Sequence, residues 1–301
     1  MLFSILIANY NNGHFLKDCL DSILNQTYQN FEVIIVDDAS TDDSLAIIEE
    51  MIKNDSRFKL FKNEKNRGCG YTKSKCVELA TGDLCGFVDP DDAIVSNALM
   101  MMVDAFSLNS NASLISSKHY YTDINLNVIG NASHGEKIPK NYSYLTFGMG
   151  AITHFATFKR DAYNKSKGIN PKFKRAVDQD LYYRIEEQGE IDFLDEFLYY
   201  YRINENSISS NHNIYKAKYW HYISMKDAYL RRIKQPHSNV FNFTRKEFKK
   251  MQSDYYISRI KREMSYKNYC KKYFFLIISI YYSPNIDWNY KLLCLRKPNY
   301  Y

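Results

Sequence analysis

Two hydrophobic periodicities alternate along the first 110 residues of the chain. Short apolar runs rich in β-branched residues are typical of buried strands, and four occur, at Leu2–Ala8, Phe31–Val36, Phe58–Phe61 and Leu84–Val88. Apolar residues at helical spacing lie between these runs, and Ser40 or Thr41 is placed to cap one of the helices. This alternation predicts βαβ units and a mostly parallel sheet.

Beyond residue 110 the pattern is mixed. It predicts strands at Ser113–Ser117 and Tyr120–Ile129 around a turn, a strand near His154–Phe158, a helix over Asp178–Gln188 and an extended segment over Ile191–Arg202. The remaining chain predicts three amphipathic helices rich in Tyr and Lys, over 215–234, 244–264 and 266–279. A change of composition near 205–215 divides the chain into two predicted domains, 1–210 and 211–301.

The residues that follow the predicted strands are informative, because ligands of open parallel sheets bind beyond the carboxyl ends of the strands. Tyr10 follows the first strand, where its ring can stack on a flat base or can belong to an Asn-rich turn. Asp38 follows the second strand, where its carboxylate can accept a base N–H or can cap the next helix.

Three carboxylates follow the fourth strand within four residues: Asp89, Asp91 and Asp92. Clustered like charges repel one another, so such a cluster is best tolerated when a cation lies among them. Oxygen-only ligands suit Mg²⁺ or Mn²⁺, metals that commonly hold phosphate oxygens. The competing interpretation is a solvated acidic turn. Taken together, the strand ends offer an aromatic ring, a carboxylate and a metal site, which a nucleotide requires.

The net charge of +6 hides an asymmetry between the two predicted domains. Residues 1–210 contain 21 Lys and Arg against 29 Asp and Glu, a net charge of −8, whereas residues 211–301 contain 19 against 5, a net charge of +14. The basic region also repeats aromatic residues, and this combination suits an anionic membrane interface. The alternative is a helical subdomain that packs on protein. No nucleic-acid-binding motif accompanies the charge, so nucleic acid is not a predicted partner.

No segment predicts a membrane span or secretion. The longest strongly apolar run, Tyr273–Tyr282, has ten residues and is too short to cross a bilayer. Residues 1–8 form a strand-like run without a basic n-region, which argues against a signal peptide and favours the cytoplasm. The six cysteines show no metal-type pairing, which predicts reduced core residues.

The order of the motifs resembles glycosyltransferase family 2, whose members are inverting enzymes with the GT-A fold. The matching segments, within residues 2–209, are Ser4–Asn11, Ser22–Tyr28, Phe31–Asp42, Asn66–Gly68, Glu78–Asp83, Phe87–Asp92, Val177–Arg184, Tyr200–Arg202 and Asn206–Ser209. The resemblance implies an α/β fold, the GT-A nucleotide-diphospho-sugar transferase fold, in which helices flank a Rossmann-like, mostly parallel sheet. Here an α-helical C-terminal extension would follow it.

The resemblance also implies a donor site that binds a UDP-sugar. Tyr10 would stack on uracil, and Asp38 would accept the uracil N3–H. Ala8 and Lys73 would complete the nucleotide-sugar-binding set with Asp89 and Asp91. Lys73 stands where the family often has Arg, so it would meet a phosphate as a point charge and not as a bidentate fork.

Metal, base and acceptor roles follow from the same resemblance. Asp91 would bind Mn²⁺ or Mg²⁺ directly, with Asp89 near the metal and the ribose. Asp178 would be the general base, with a helix N-cap as the competing interpretation. His154 and Asp92 are candidates for the acceptor side, although His154 equally suits a strand histidine paired with backbone.

The sequence departs from the family pattern at three places, which concern the metal, the base and processive transfer. Asn204 stands where the family often has a metal-binding His, so a third protein ligand is unassigned. His212 could replace it, but a lone surface histidine is the preferred interpretation of that residue. Val177 replaces the acid that usually precedes the base. The Gln-x-x-Arg-Trp pattern of processive synthases is absent, which favours transfer of a single sugar. Arg202 is expected to brace the domain's own carboxylates.

The resulting hypothesis is a metal-dependent, inverting hexosyl- or N-acetylhexosaminyltransferase that moves one sugar from a UDP-sugar to a hydroxyl of a bacterial surface glycan or its lipid-linked precursor. We expect a cytoplasmic enzyme, peripheral on the inner face of the cell membrane and able to form homo-oligomers. One alternative is transfer to polyprenyl phosphate, but such enzymes usually carry downstream transmembrane helices. Another is a non-catalytic nucleotide-sugar-binding or scaffold protein, against which the full set of carboxylates argues.

Overall fold

The computed structural model describes residues 1–148, 150–204, 214–235, 240–265 and 269–282 of the 301-residue chain. These residues form two compact units. The first contains the described residues up to 204 together with 240–241, and the second contains the other described residues. The predicted domain boundary at 210 lies outside the described residues, so the division into 1–210 and 211–301 stays a prediction.

The first unit has nine strands among its described residues. They are β1 (Phe3–Asn9), β2 (Phe31–Asp37), β3 (Phe58–Lys62), β4 (Leu84–Phe87), β5 (Ala93–Ile94), β6 (Ala112–Thr122), β7 (Val128–Asn131), β8 (Thr157–Lys159) and β9 (Glu190–Arg202). Its helices are α1 (Gly13–Leu24), α2 (Ser44–Ile52), α3 (Cys69–Leu79), α4 (Ala98–Leu108), α5 (Tyr144–Phe147), α6 (Arg160–Lys165) and α7 (Val177–Glu186). The helices of the second unit are α8 (Ile214–Lys234), α9 (Arg245–Ser265) and α10 (Tyr269–Tyr282).

One mixed sheet contains all nine of these strands, in the order β3-β2-β1-β4-β8-β6-β9-β5, with β7 paired to β6. Strands β3, β2, β1 and β4 are parallel neighbours, so their carboxyl ends lie along one edge. Strand β8 runs antiparallel to β4 and β6, whereas β6 and β9 are parallel. The predicted parallel sheet is confirmed for the first four strands, and antiparallel pairing begins beyond β4.

Strand β1 lies at the centre of the parallel region, and both of its faces are covered. Alternate residues of a strand point to opposite faces. Phe3, Ile5 and Ile7 share a core with the apolar residues of α1, α2 and α4, and all three side chains are fully buried. Helix α3 also contacts β1 and β2, and Cys76 of α3 lies against the backbone of β1. Burial on both faces explains why β1 and β2 read as continuous apolar runs.

Three sequence expectations about these elements were wrong. Ala112–Thr122 form the single strand β6, and the turn follows it at 123–127, so Ser113–Ser117 and Tyr120–Ile129 are not two strands around a turn. Neither Ser40 nor Thr41 caps a helix, because α2 begins at Ser44 after Asp43. The pattern also missed α4 and β5, which follow the acidic triplet.

The second unit is a set of helices joined by aromatic and aliphatic packing. Tyr222 of α8 stacks on Tyr255 of α9 with ring centroids 4.0 Å apart, and Tyr229 stacks on Phe248 at 3.7 Å. Ile260 of α9 is fully buried in a cluster with Leu276 of α10. The predicted helices are therefore present, although 266–268 lie outside the described residues. Among the described helices, none is both long and apolar enough to cross a membrane.

Candidate active site

Three neighbouring strand ends bring the predicted site residues to one edge of the sheet. The last residues of β1 and β2, Asn9 and Asp37, are register partners, and β4 lies on the other side of β1. Tyr10 therefore emerges between the positions of Asp38 and Asp89, each of which lies just past its own strand. Tyr10 is 44% exposed and Ala8 is half-buried, so the ring is open to a ligand.

Asp38 is a buried carboxylate that organises the loop before α3. It accepts hydrogen bonds from Asn63 Nδ2 at 2.8 Å, from the Arg67 backbone N–H at 2.8 Å and from the Gly68 N–H at 2.7 Å. Gly68 has a φ of +88°, which favours glycine at this position. A carboxylate has about four acceptor sites, so one remains for a ligand N–H. The alternative role for Asp38, a helix cap, does not fit these contacts.

A second network fixes the turn that carries Tyr10, and sequence analysis missed it. Asp37 is fully buried, and it accepts hydrogen bonds from Asn9 Nδ2 at 2.8 Å and from the Ser40 hydroxyl at 2.6 Å. Ser40 Oγ in turn accepts the Asn11 N–H at 3.0 Å. The available signal was the Asp37-Asp38 doublet, since two adjacent carboxylates at a strand end point in opposite directions and take different partners.

The acidic triplet after β4 divides into two half-buried carboxylates and one buried carboxylate. Asp89 and Asp91 are partly exposed, but only 2% of Asp92 is exposed. Asp92 accepts hydrogen bonds from the Tyr199 hydroxyl and the Arg202 N–H, both at 2.8 Å. Burial, followed by the charges of Asp91 and Asp89, raises the pKa of Asp92 well above its usual value. The expectation that Asp92 faces an acceptor was therefore wrong: its carboxylate is held inside the fold.

Two residues of β9 brace the same turn. The Tyr199 hydroxyl accepts the Asp89 backbone N–H at 3.1 Å while donating to Asp92. The Arg202 guanidinium donates to the Asp91 carbonyl at 2.6 Å and to Asp18 of α1 at 2.9 Å. Arg202 is thus a bracing residue, as expected, whereas the role of Tyr199 gave no sequence signal, since it depends on a contact 110 residues away.

The electrostatics of Asp89 and Asp91 fit a bound divalent cation. Burial, followed by repulsion from Asp89, raises the pKa of Asp91 to about 6. Burial also opposes ionisation of Asp89, but the Lys73 ammonium outweighs it and lowers the pKa of that carboxyl. A cation beside Asp91 would relieve the repulsion, and two carboxylates plus substrate phosphates are a usual donor set for Mg²⁺. Within the described ranges, no three acidic, His or Cys side chains converge to hold a metal by themselves.

Asp178 lies across the site from the acidic triplet and contacts Lys73. Helix α7 begins at Val177 with Ala176 as its N-cap, so the N-cap interpretation of Asp178 does not hold. The Lys73 ammonium lies 2.9 Å from Asp178 Oδ1 and 3.2 Å from Asp89 Oδ1. Lys73 therefore bridges the predicted base and the predicted donor-side carboxylate, a contact that sequence analysis did not anticipate.

We call the edge of the sheet at which β1, β2 and β4 end the donor edge. His154 lies beside this edge, in the segment that precedes β8. Its ring stacks on Tyr199 at 4.8 Å and on Tyr201 at 5.8 Å between centroids. Burial lowers the pKa of His154, and the nearby Asp89 charge opposes this effect only in part, so the imidazole is neutral near pH 7. Of the other residues discussed for the metal, Asn204 is half-buried, and His212 lies outside the described residues.

These features are typical of the GT-A fold, in which the ends of parallel strands carry an aromatic ring, a buried carboxylate, an Asp-x-Asp turn and a facing carboxylate. The model of Glycosyl transferase family 2 matches residues 4–167, more than half of the chain. The chain therefore belongs to glycosyltransferase family 2.

Two relatives from Escherichia coli illustrate the sequence similarity. Chondroitin synthase is 31% identical over 204 residues, covering 66% of this chain and 28% of that protein. The glucosyltransferase WfgD, named as UDP-Glc:alpha-D-GlcNAc-diphosphoundecaprenol beta-1,3-glucosyltransferase, is 30% identical over 213 residues, covering 70% of this chain and 80% of that protein. The chain spans about a quarter of the length of the polysaccharide synthases it matches.

Solved structures share the fold at low sequence identity. The crystal structure of S. aureus TarS with UDP-GlcNAc has a TM-score of 0.63 and 18% identity, covering 93% of this chain and 91% of that chain. The mannosyltransferase PcManGT from Pyrobaculum calidifontis, in complex with GDP-Man and Mn²⁺, has a TM-score of 0.58 and 12% identity, covering 97% and 78% of the two chains. The predicted GT-A fold is thus confirmed.

Proposed function

We propose that this protein moves one sugar from a UDP-sugar to an acceptor hydroxyl, in a divalent-metal-dependent reaction with inversion at the anomeric carbon. The observation that carries the proposal is the placement of Asp89 and Asp178 on one buried ammonium, with Asp91 in the same turn as Asp89, at the edge where the parallel strands end. This edge is where ligands of such sheets bind. One side of it holds a metal-type pair of carboxylates, and the other holds a single carboxylate suited to proton transfer.

The donor half uses the ends of β1 and β2. Tyr10 stacks on the base, and the unused acceptor capacity of Asp38 takes the uracil N3–H. Ala8 leaves room for the nucleotide beside this ring. WfgD is named for a UDP-Glc donor and TarS was solved in complex with UDP-GlcNAc, which supports a uridine donor here.

The metal half uses Asp91 as a direct ligand and Asp89 beside it. The metal, Mn²⁺ or Mg²⁺, supplies charge neutralisation for the departing diphosphate. Asp92, Tyr199 and Arg202 hold the turn that presents both carboxylates. PcManGT was crystallised with Mn²⁺, which supports this cofactor by analogy.

Asp178 acts as the general base. It takes the proton of the acceptor hydroxyl as that oxygen attacks the anomeric carbon from the face opposite the diphosphate, so no covalent sugar intermediate forms. The neutral His154 ring, stacked on Tyr199, lies on the acceptor side and can exchange hydrogen bonds with sugar hydroxyls. The acceptor is a surface glycan or its lipid-linked precursor, in keeping with the diphosphoundecaprenol named for WfgD.

The second unit brings the enzyme to an anionic membrane surface. Its described residues include 15 Lys and Arg against 4 Asp and Glu. On α10, Phe274, Ile277 and Tyr281 share one helical face and are 59%, 68% and 77% exposed, whereas Leu276 is buried. An apolar helical face within a basic unit suits in-plane binding to anionic lipid. The same charge would repel a second copy of this unit.

A ligand screen by thermal unfolding tests the donor assignment. We expect UDP to stabilise the protein more than GDP or ADP, and Mn²⁺ to enlarge the UDP effect. In the matched variant Asp38→Asn, the difference in stabilisation between UDP and the other two nucleotides should become smaller. The reason is that an amide can donate hydrogen bonds as well as accept them. A larger shift with GDP would refute the uracil site. If UDP raises the unfolding temperature equally in Mn²⁺ and in chelator, the metal-assisted donor complex is refuted.

A further inference from the structure

Lys73 is a buried cation at the centre of the candidate site. Only 5% of the residue is exposed, although it lies on α3 near the strand ends. Its ammonium lies 2.9 Å from Asp178 Oδ1, 3.2 Å from Asp89 Oδ1 and 4.9 Å from the centroid of the Phe87 ring. The two carboxylates come from different parts of the chain, since Asp89 follows β4 and Asp178 lies in the first turn of α7.

These contacts compensate the charge of Lys73. Only 6% of its side chain is exposed, and two carboxylate oxygens lie within 3.2 Å of its ammonium. A buried ammonium that keeps its charge must keep its partners, because leaving either charge uncompensated is costly. Lys73 therefore acts as a permanent cation between the two carboxylates.

The backbone around Lys73 is built for this contact. Gly70, one helical turn before Lys73, donates its N–H to the Phe173 carbonyl at 3.1 Å. A Cβ at Gly70 would lie 2.3 Å from that carbonyl oxygen, so only glycine permits this approach. The approach joins α3 to the segment that leads into α7. Because residues three apart share a helical face, it also brings Lys73 to Asp178.

We propose that Lys73 is a positioning residue that holds the base, Asp178, at a fixed distance from the donor-side carboxylate, Asp89. The inference rests on the proposed function, because it takes Asp178 to be the base. It goes beyond a phosphate contact for Lys73, since the ammonium's structural partners are the two carboxylates. The consequence is that the group receiving the acceptor proton and the group facing the diphosphate stay aligned as substrates enter.

The two roles for Lys73 predict different measurements. If Lys73 only contacts phosphate, Lys73→Met should weaken UDP binding. The loss of UDP affinity should then be the same whether or not Asp178 is present. A lysine that positions Asp178 leaves UDP binding nearly unchanged and lowers turnover, because the misplaced base no longer meets the attacking hydroxyl. In that case, removing the Asp178 carboxylate first should remove most of the effect of Lys73.

A double-mutant cycle with Lys73→Met and Asp178→Asn separates these roles. UDP release is measured with saturating UDP-glucose and with UDP-GlcNAc, and UDP affinity is measured by calorimetry with Mn²⁺. We expect Lys73→Met to lower kcat about 10- to 100-fold in the parent, but less than about threefold in the Asp178→Asn background. The Kd for UDP should change by less than about threefold. Lys73→Arg, which keeps the charge, should recover part of kcat.

Lys59→Met is the matched control. Lys59 also pairs with a buried carboxylate, Glu32 at 2.8 Å, but at the opposite end of β2, so its loss should leave kcat unchanged. If Lys73→Met does not fold, Lys73→Gln enters the same cycle. Multiplicative losses in the double variant, or a large rise in Kd with normal kcat, would overturn the positioning role. Normal turnover of Asp178→Asn alone would instead overturn the proposed base.

Discussion

The donor edge and the C-terminal helices are stabilised in contrasting ways. At the donor edge, the buried carboxylates of Asp37, Asp38 and Asp92 accept hydrogen bonds from identified partners. In the second unit, ring stacks such as Tyr222 on Tyr255 provide the packing, and most charges are solvated. Directional contacts depend on individual atoms, whereas apolar packing tolerates substitutions of similar volume.

The contrast has a functional meaning. In the role that we propose for it, the donor edge places a few oxygen atoms with sub-ångström precision, so removal of one group should have a large effect on turnover. The second unit, as we propose its role, needs only a basic surface with an apolar face, so single substitutions should have small effects. Variants in the two regions test this contrast directly.

Asp178→Asn should have the largest effect on catalysis. The amide keeps the shape of the side chain but cannot take a proton, so kcat should fall by roughly two to four orders of magnitude. UDP affinity should hardly change, since the residue serves the acceptor. Steady-state and single-turnover UDP release measure this loss. Asp161→Asn, which also removes an acid from the first turn of a helix, is the control and should be neutral. Near-normal turnover of Asp178→Asn would sink the base assignment.

Tyr10→Ala should weaken donor binding without unfolding the protein. The ring is largely exposed, and stacking of an aromatic side chain on a base is worth about 1–3 kcal/mol, so the Kd for UDP should rise about 5- to 100-fold. Calorimetry with UDP and Mn²⁺ measures the change. Tyr142→Ala removes a ring that is 51% exposed elsewhere in the first unit and should leave Kd unchanged. An unaltered Kd for Tyr10→Ala would show that this ring does not contact the base.

Replacing Phe274 and Ile277 by Ser should reduce binding to anionic vesicles by more than about tenfold, because each buried CH₂ group contributes about 0.8 kcal/mol and these side chains carry several such carbons. Sedimentation with phosphatidylglycerol vesicles at low and high salt measures this, and binding should fall with salt. Leu108→Ser is the control, because Leu108 is 90% exposed but lies in the first unit. If the parent protein does not sediment with vesicles at low salt, the exposed face of α10 does not bind lipid.

The effect of pH on metal binding should be the smallest of these differences. The pKa of Asp91 is raised to about 6 from its ordinary 3.8, so its ionisation destabilises the metal-free fold as pH rises through this interval. Mn²⁺ competes with protons for the same carboxylate. The increase in Tm caused by Mn²⁺ and UDP should therefore be larger at pH 7.5 than at pH 5, by a few degrees. An increase that is equal at both pH values would contradict a role for Asp91 as ligand.

Sequence predicted the parallel half of the fold well, because β1, β2 and β4 are continuous apolar runs that end in polar motifs. It failed where the local pattern was ambiguous or too short to interpret. Ser40 looks like a helix cap, but its hydroxyl is taken by Asp37, three residues earlier. Strand β5 has two residues, too few to show a periodicity. In contrast, α4 was detectable, since Leu99, Met102, Val103 and Phe106 have helical spacing.

The candidate site also divides into residues that the sequence predicted and contacts that it did not. Motif positions alone indicated Tyr10, Asp38, Asp89, Asp91 and Asp178. The burial of Asp92 and the bridge formed by Lys73 were not predictable, because they depend on residues more than 100 positions away in the chain. Local patterns identify which groups are present, whereas the partner of each group depends on how the strands and helices pack.

The most direct test of a metal-assisted donor site is calorimetry of UDP binding to the parent protein and to Asp91→Ala, each with Mn²⁺ and with chelator. We predict that Mn²⁺ strengthens UDP binding to the parent more than about tenfold, and that Asp91→Ala loses this enhancement while its thermal unfolding remains cooperative. Asp161→Ala should behave as the parent. An unchanged Mn²⁺-dependent affinity in Asp91→Ala would contradict the assignment of the acidic turn as the metal site.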